Sequence, residues 1–127
     1  VTRQPPRTQA LGALYAAEAQ RRDAPDVADL SARAARMVTG VWDHLAELDE
    51  AIASVASGWR LERMPAVDRN LLRLALFELR YTDTPVGVIA SEAVKLAKEY
   101  STERSGSFVN GVIAALAEGR TSGGDAT

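Results

Sequence analysis

Cysteine is absent from this 127-residue chain, and histidine occurs once, as His44. These absences exclude a disulfide framework and thiol catalysis, and they leave the common zinc sites short of ligands. An intracellular, reducing compartment, the cytoplasm, is the expectation. Aromatic residues make up only 6%, and no apolar run approaches the roughly 18 residues that span a bilayer. The first residues also lack the apolar segment of a signal peptide; Val1 reads as an alternative start, which would make the N-terminus complete. Charge of either sign is in little excess: 15 Lys and Arg against 17 Asp and Glu give a formal net of −2. A domain that coats nucleic acid by bulk electrostatics carries a clear basic excess, so that class is set aside. There is no GxxxxGK phosphate loop, no GxGxxG turn after a strand and no Cys/His cluster. No cofactor, no metal and no enzymatic constellation are therefore expected.

What is present is helical periodicity, with no alternating strand pattern, so the expected class is all-α in one domain. The organising stretch is 65–81. Leu71, Leu72, Leu74, Ala75, Leu76, Phe77 and Leu79 leave only Arg69, Arg73, Glu78 and Arg80 as polar positions, and a helix apolar on nearly every side must be wrapped by others. About five helices around this hub are expected.

Before it, 1–6 read as a flexible basic arm, since Arg3 and Arg7 precede the first acidic residue, Glu18. Pro6 or Arg7 opens a helix with Leu11, Leu14, Tyr15 and Glu18 on a narrow, alanine-rich face. Arg21, Arg22 and Pro25 close it. The heptad Ala34, Val41, Leu48 and Val55 predicts one long helix over 27–57, capped by Asp26 and weakest at Gly40. After the hub, a helix over 88–100 carries Glu92, Lys95 and Glu99 at spacings for surface ion pairs. A polar loop over 101–107 follows, and a last helix with Val109, Val112, Ile113 and Leu116 inward. Gly119 ends the helical domain 7–119, and 120–127 read as a disordered tail.

Few residues invite a functional role. His44 lies on a polar face with Gly40 and Glu47 and reads as a solvated histidine. Trp59, in a short connector, reads as a cover for helix ends. Phe108 sits at the margin of the inward set beside a loop carrying Arg104; it is either a half-buried core ring or a stacking platform for an unpaired base. Asn110 and Gly111 both weaken a helix interior, which predicts a side-chain hydrogen bond from the first and a close backbone approach at the second. Arg3 and Arg7 suit phosphate contacts or simply a soluble arm. Asp68 suits the dipole of the hub helix.

The segments DRNLLRLALFEL, EAVKLAKEYS and above all SFVNGV, in this order and spacing, closely resemble the NusB family of transcription antitermination proteins, over about Arg7 to Glu118. RTQALGALYAAE is similar to the first helix of that family. The resemblance implies a compact fold of two packed helical bundles and a non-enzymatic, RNA-binding role. It also implies partners: a small-subunit ribosomal protein, also called NusE, and the single-stranded boxA element of nascent RNA. Together these help RNA polymerase resist termination, notably on ribosomal RNA operons. Residue by residue, the resemblance puts Arg3 and Arg7 in an arginine-rich RNA-binding segment, Arg104, Ser107 and Phe108 beside the RNA, and Tyr15 and Asp68 toward the protein partner. The arginine cluster is thinned here to Arg3 and Arg7 with Gln4, Pro5 and Pro6 between them. Arg104, where relatives commonly carry an acid, is expected to compensate in part. The family offers both monomers and homodimers. Two other readings stand beside it: the NusB-like domain of a ribosomal RNA cytosine methyltransferase, and a protein-interaction bundle without RNA binding.

Overall fold

The computed structural model describes residues 4–56 and 58–125, with side chains to Arg120. Among these residues there is no strand. Six α-helices, α1 (Pro6–Ala19), α2 (Ala32–Asp43), α3 (Leu45–Val55), α4 (Ala66–Tyr81), α5 (Val86–Tyr100) and α6 (Ser105–Asp125), are joined by short connections and one 3-10 turn at Leu61–Arg63. The hub is α4, which packs against each of the other five. On one side it makes a bundle with α1 and α2, and on the other with α5 and α6, while α3 bridges to α6. Leu71, Leu72 and Leu76 are fully buried, as the all-round apolar pattern of this helix requires.

Asp68, Asn70, Arg73 and Glu78 are buried on α4 as well, and each is partnered. Arg73 donates to both Asp49 oxygens at 2.7 and 2.8 Å, and to Glu18 and Asn70 at 3.0 Å each. Arg69 donates to Glu18 too, and to the carbonyls of Leu61 and Met64. No buried side-chain nitrogen or oxygen among the described residues lacks a partner, as a folded interior demands.

The long helix expected over 27–57 is two helices. Asp26 caps only a local turn, through Ala28 N–H; the helix cap is Ser31, whose Oγ accepts from Ala34 N–H at 3.2 Å. The break falls at His44 (φ −112, ψ 18) rather than at Gly40. There the imidazole stacks on Tyr81, with centroids 4.4 Å apart, and Tyr81 and Arg80 both donate to Glu47. His44 is thus a partnered joint between α2, α3 and the end of α4, while its side chain stays 38% exposed, as a surface histidine.

Gly40 stays helical and is needed for a different reason. A Cβ there would lie 2.2 Å from Phe77 Cε1 and 2.4 Å from Cζ, so only glycine lets α2 lie this close to α4. Gly40→Ala should lower the unfolding free energy by about 1–3 kcal/mol, the range for overpacking. That outcome runs against the ~1 kcal/mol by which alanine is favoured in an isolated helix. Urea denaturation would measure it, and an unchanged midpoint would show that Phe77 can swing away.

Smaller differences have local causes. At the end of α1, Arg21 takes φ +50 and Arg22 N–H reaches the Ala17 carbonyl at 2.9 Å, a left-handed stop that precedes Pro25. α5 starts at Val86 because Pro85 is its cap. α6 starts at Ser105, so Ser107 and Phe108 lie in its first turn rather than in or after a loop. It also continues past Gly119, to Asp125. Arg120 is held there, donating to the carbonyls of Thr84 (2.6 Å) and Thr82 (2.5 Å) beyond the end of α4, a favourable place for a cation. Of the tail expected over 120–127, residues 126–127 lie outside the described residues.

Candidate nucleic-acid interface

After α3 the chain passes through Gly58 at φ +79, a backbone angle that only glycine adopts freely. This turn, closed by Trp59 N–H on the Ala56 carbonyl at 3.0 Å, throws the indole outward. Trp59 is 54% exposed, so it is not a cover for helix ends. Its ring meets the half-buried ring of Phe108 from the first turn of α6, with centroids 5.4 Å apart and planes inclined at 55°. The two rings stand in a cleft of about 350 Å³ formed by the 3-10 turn, the start of α4 and the start of α6.

Arg63 and Arg104 line the same cleft. Both are exposed, and among the described residues neither guanidinium has a carboxylate partner. One exposed apolar side chain needs no explanation. Two aromatic faces side by side, flanked by two unneutralised cations, have the composition of a stacking platform for a single nucleic-acid strand. Beneath it, Asp68 is 2% exposed and accepts from Ser101 Oγ at 2.6 Å and Ser105 Oγ at 2.8 Å. The resemblance turns Asp68 toward a protein partner. Here the carboxylate points inward and pins the α5–α6 connection that carries Arg104, because two serine hydroxyls leave it satisfied away from solvent.

The other expected site residues separate. Arg7 makes a two-pronged pair with Glu78, at 2.8 and 2.7 Å, with its side chain only 15% exposed. The Glu78 carboxylate bonded to it raises its pKa further above the ordinary guanidinium value, against the effect of burial. An arginine engaged this way anchors α1 to α4, and a phosphate would have to displace Glu78 to reach it. Arg3 lies outside the described residues. Ser107 faces away from the rings, into the groove between α5 and α6. Tyr15 is 45% exposed and lines a mainly apolar cleft of about 430 Å³ with Leu11, Gly12, Val67 and Tyr100. Asn110 and Gly111 also depart from expectation: both are exposed, the Asn110 side chain has no hydrogen-bond partner among the described residues, and nothing lies within 4 Å of a Cβ built at Gly111.

The sequence model of the NusB family matches residues 4–118. The chain belongs to the NusB family. Among curated NusB proteins, that of Acidothermus cellulolyticus is 47% identical over 120 residues, covering 87% of this chain and 83% of the relative. That of Anaeromyxobacter dehalogenans strain 2CP-1 is 54% identical over 83 residues, 65% of this chain but only 58% of the relative's own length. Both are called transcription antitermination protein NusB. Among solved structures, a T. maritima NusB superposes with a TM-score of 0.79 at 32% identity, over 92% of this chain and 93% of that one. A chain in a crystal structure described as a plectonemic RNA supercoil gives 0.78 at 26% identity, over 91% and 94%. The expected NusB fold is thereby established.

Trp59 and Arg63 escaped the sequence pattern, which has no signal for exposure in an irregular connector. The one available hint was Gly58 directly before Trp59, since a glycine that reverses the chain at a helix end leaves the next side chain free to turn outward.

Proposed function

We propose that this NusB chain is a non-enzymatic adaptor in transcription antitermination, working in the cytoplasm. It binds single-stranded boxA-type RNA jointly with a NusE-type ribosomal protein, and the assembled pair acts on elongating RNA polymerase. The observation that carries the RNA part is the pairing of exposed Trp59 with half-buried Phe108 between Arg63 and Arg104. The names of the curated relatives and the RNA in the description of one solved neighbour support it. Bases are read unpaired, by stacking, since the deep groove of A-form RNA is closed to side chains. The Tyr15 cleft supports a protein contact along α1, through a mainly apolar surface that an incoming aliphatic side chain would fill.

Intrinsic RNA affinity is low in this reading. Arg63, Arg104 and Arg3 together neutralise about three phosphates, and at about −0.7 per phosphate the salt slope is only about −2. The partner therefore supplies much of the affinity by adding contacts on the same RNA.

The test is fluorescence anisotropy of a labelled boxA-like RNA, with and without the NusE-type partner. Binding should tighten with the partner, and Arg104→Asp should weaken it several-fold at low salt by replacing an attraction with a repulsion. Unchanged affinity in Arg104→Asp would remove that cation from the site. Partner association with no RNA binding in any combination would leave a protein-interaction bundle instead.

A further inference from the structure

On the far side of the first turn of α6 from the aromatic rings lies an open groove between α5 and α6, about 890 Å³ in volume. Lys95 and Lys98, one helical turn apart on α5, are both exposed and have no carboxylate partner among the described residues, although Glu92 and Glu99 are spaced for pairing. The stem of Lys98 lies across Gly106, whose added Cβ would sit 3.3 Å from its Cγ and Cε. On the facing helix, Ser107 and Asn110 present unpartnered polar side chains to the same groove. Asn110 is the telling residue. It disfavours a helix interior, and among the described residues its side chain makes no hydrogen bond that would repay that cost.

We propose that this groove is a second RNA subsite, a phosphate track for the strand that leaves the Trp59 and Phe108 platform. The proposal rests on the RNA-binding reading above and extends it. Consecutive residues carry the junction: Phe108 belongs to the aromatic cleft and Ser107 to the groove. A strand stacked on Phe108 crosses the first turn of α6 and enters the groove, where two flexible ammonium groups about 5–6 Å apart at their Cβ atoms meet successive phosphates. Ser107 and Asn110 supply hydrogen bonds to phosphate or ribose oxygens. Glu99, the carboxylate in the lining, is one negative charge against two positive ones. The small residues Gly87, Ala90 and Ser91 along the groove leave room for a sugar-phosphate chain.

Because a strand has direction, only one end of the RNA can run into the groove. The experiment therefore uses three labelled RNAs: a short boxA-like core, and the same core extended by about six nucleotides at the 5′ or the 3′ end. Each is titrated against the wild-type chain and Lys95→Gln/Lys98→Gln over a range of salt. The core should bind both proteins equally. One extended RNA should bind the wild type more tightly than the core does and lose that gain in the variant, with a salt slope shallower by about 1.4, from two contacts at about 0.7 each. The other extension should not distinguish the proteins. Equal binding of both extended RNAs by the two proteins overturns the track while leaving the aromatic platform intact. Loss of the core itself from the variant also overturns it, since the lysines would then belong to the first site. No binding of any RNA by the wild type would overturn both readings together.

Discussion

Arg73→Ala should cost about 3 kcal/mol of stability, near the lower end of the 3–5 kcal/mol for breaking a buried ion pair from one side. Arg73 holds three helices together, since its own α4 is tied through Asp49 to α3 and through Glu18 to α1. Its side chain is 8% exposed, whereas Glu18 and Asp49 keep 29% and 26% of theirs. Those two carboxylates can therefore recover some water in the variant, which places the loss toward the lower figure. Burial disfavours the Arg73 charge, but Asp49 and Glu18 outweigh it and raise the pKa. Glu18 shows the converse: burial pushes its pKa up, and the hydrogen bonds and charges of Arg69 and Arg73 overcome this and lower it.

The sign for acid follows. A carboxylate whose folded pKa lies below its ordinary value of 4.5 contributes stability that is fully present above that value and lost as pH falls through the folded pKa. Stability of the wild type should thus drop on acidification below about pH 4.5, and the drop should be shallower in Arg73→Ala, where Arg69 alone still depresses Glu18. Denaturant titrations between pH 3 and 7 would measure both the loss at neutral pH and the change of slope. A variant with unchanged neutral stability would mean that the network only fixes the relative positions of α1, α3 and α4. Equal acid slopes would mean that Arg73 does not depress Glu18.

How far the sequence led can be argued from the same residues. The hub was legible because seven apolar residues in nine leave a helix no solvent face, and α4 is indeed wrapped on all sides. What periodicity could not show is that Arg73 and Glu78 are interior too, since a buried charge and a surface charge look alike until the partner elements, here Asp49, Glu18 and Arg7, are in place. The heptad of 27–57 was real, with Ala34, Val41 and Leu48 buried, but a continuous seam does not require a continuous helix. The joint at His44 is held by Tyr81 and Glu47, which are 37 and 3 residues away. Of the proposed site, Phe108 and Arg104 were visible through the SFVNGV resemblance and the neighbouring loop, while Trp59 and Arg63 were hidden in a connector. Arg7 looked like a free arm cation because its partner Glu78 is 71 residues distant.

The stacking platform makes the second large prediction. Trp59→Ala should weaken binding of a short boxA-like RNA by about 1–3 kcal/mol, the value of one base stacked on an aromatic ring. At 1.4 kcal/mol per factor of ten, that is roughly 5- to 150-fold. With more than half its surface exposed, the indole contributes little to the core, so thermal stability should change far less than affinity. Phe108 is half-buried against the core, and truncating it to alanine would confound the two effects. Phe108→Leu keeps most of the volume and removes the aromatic face, so it should weaken binding over the same range with a smaller loss of stability. Because the rings touch, the double variant should lose less than the sum of the singles; residues in contact typically couple by 0.5–3 kcal/mol. The opposite pattern, with Trp59→Ala lowering the melting temperature and leaving affinity intact, would restore the indole to the role of a helix-end cover. The RNA would then have to be held by the cations alone, with a steeper salt dependence per unit of affinity and no preference for unpaired bases.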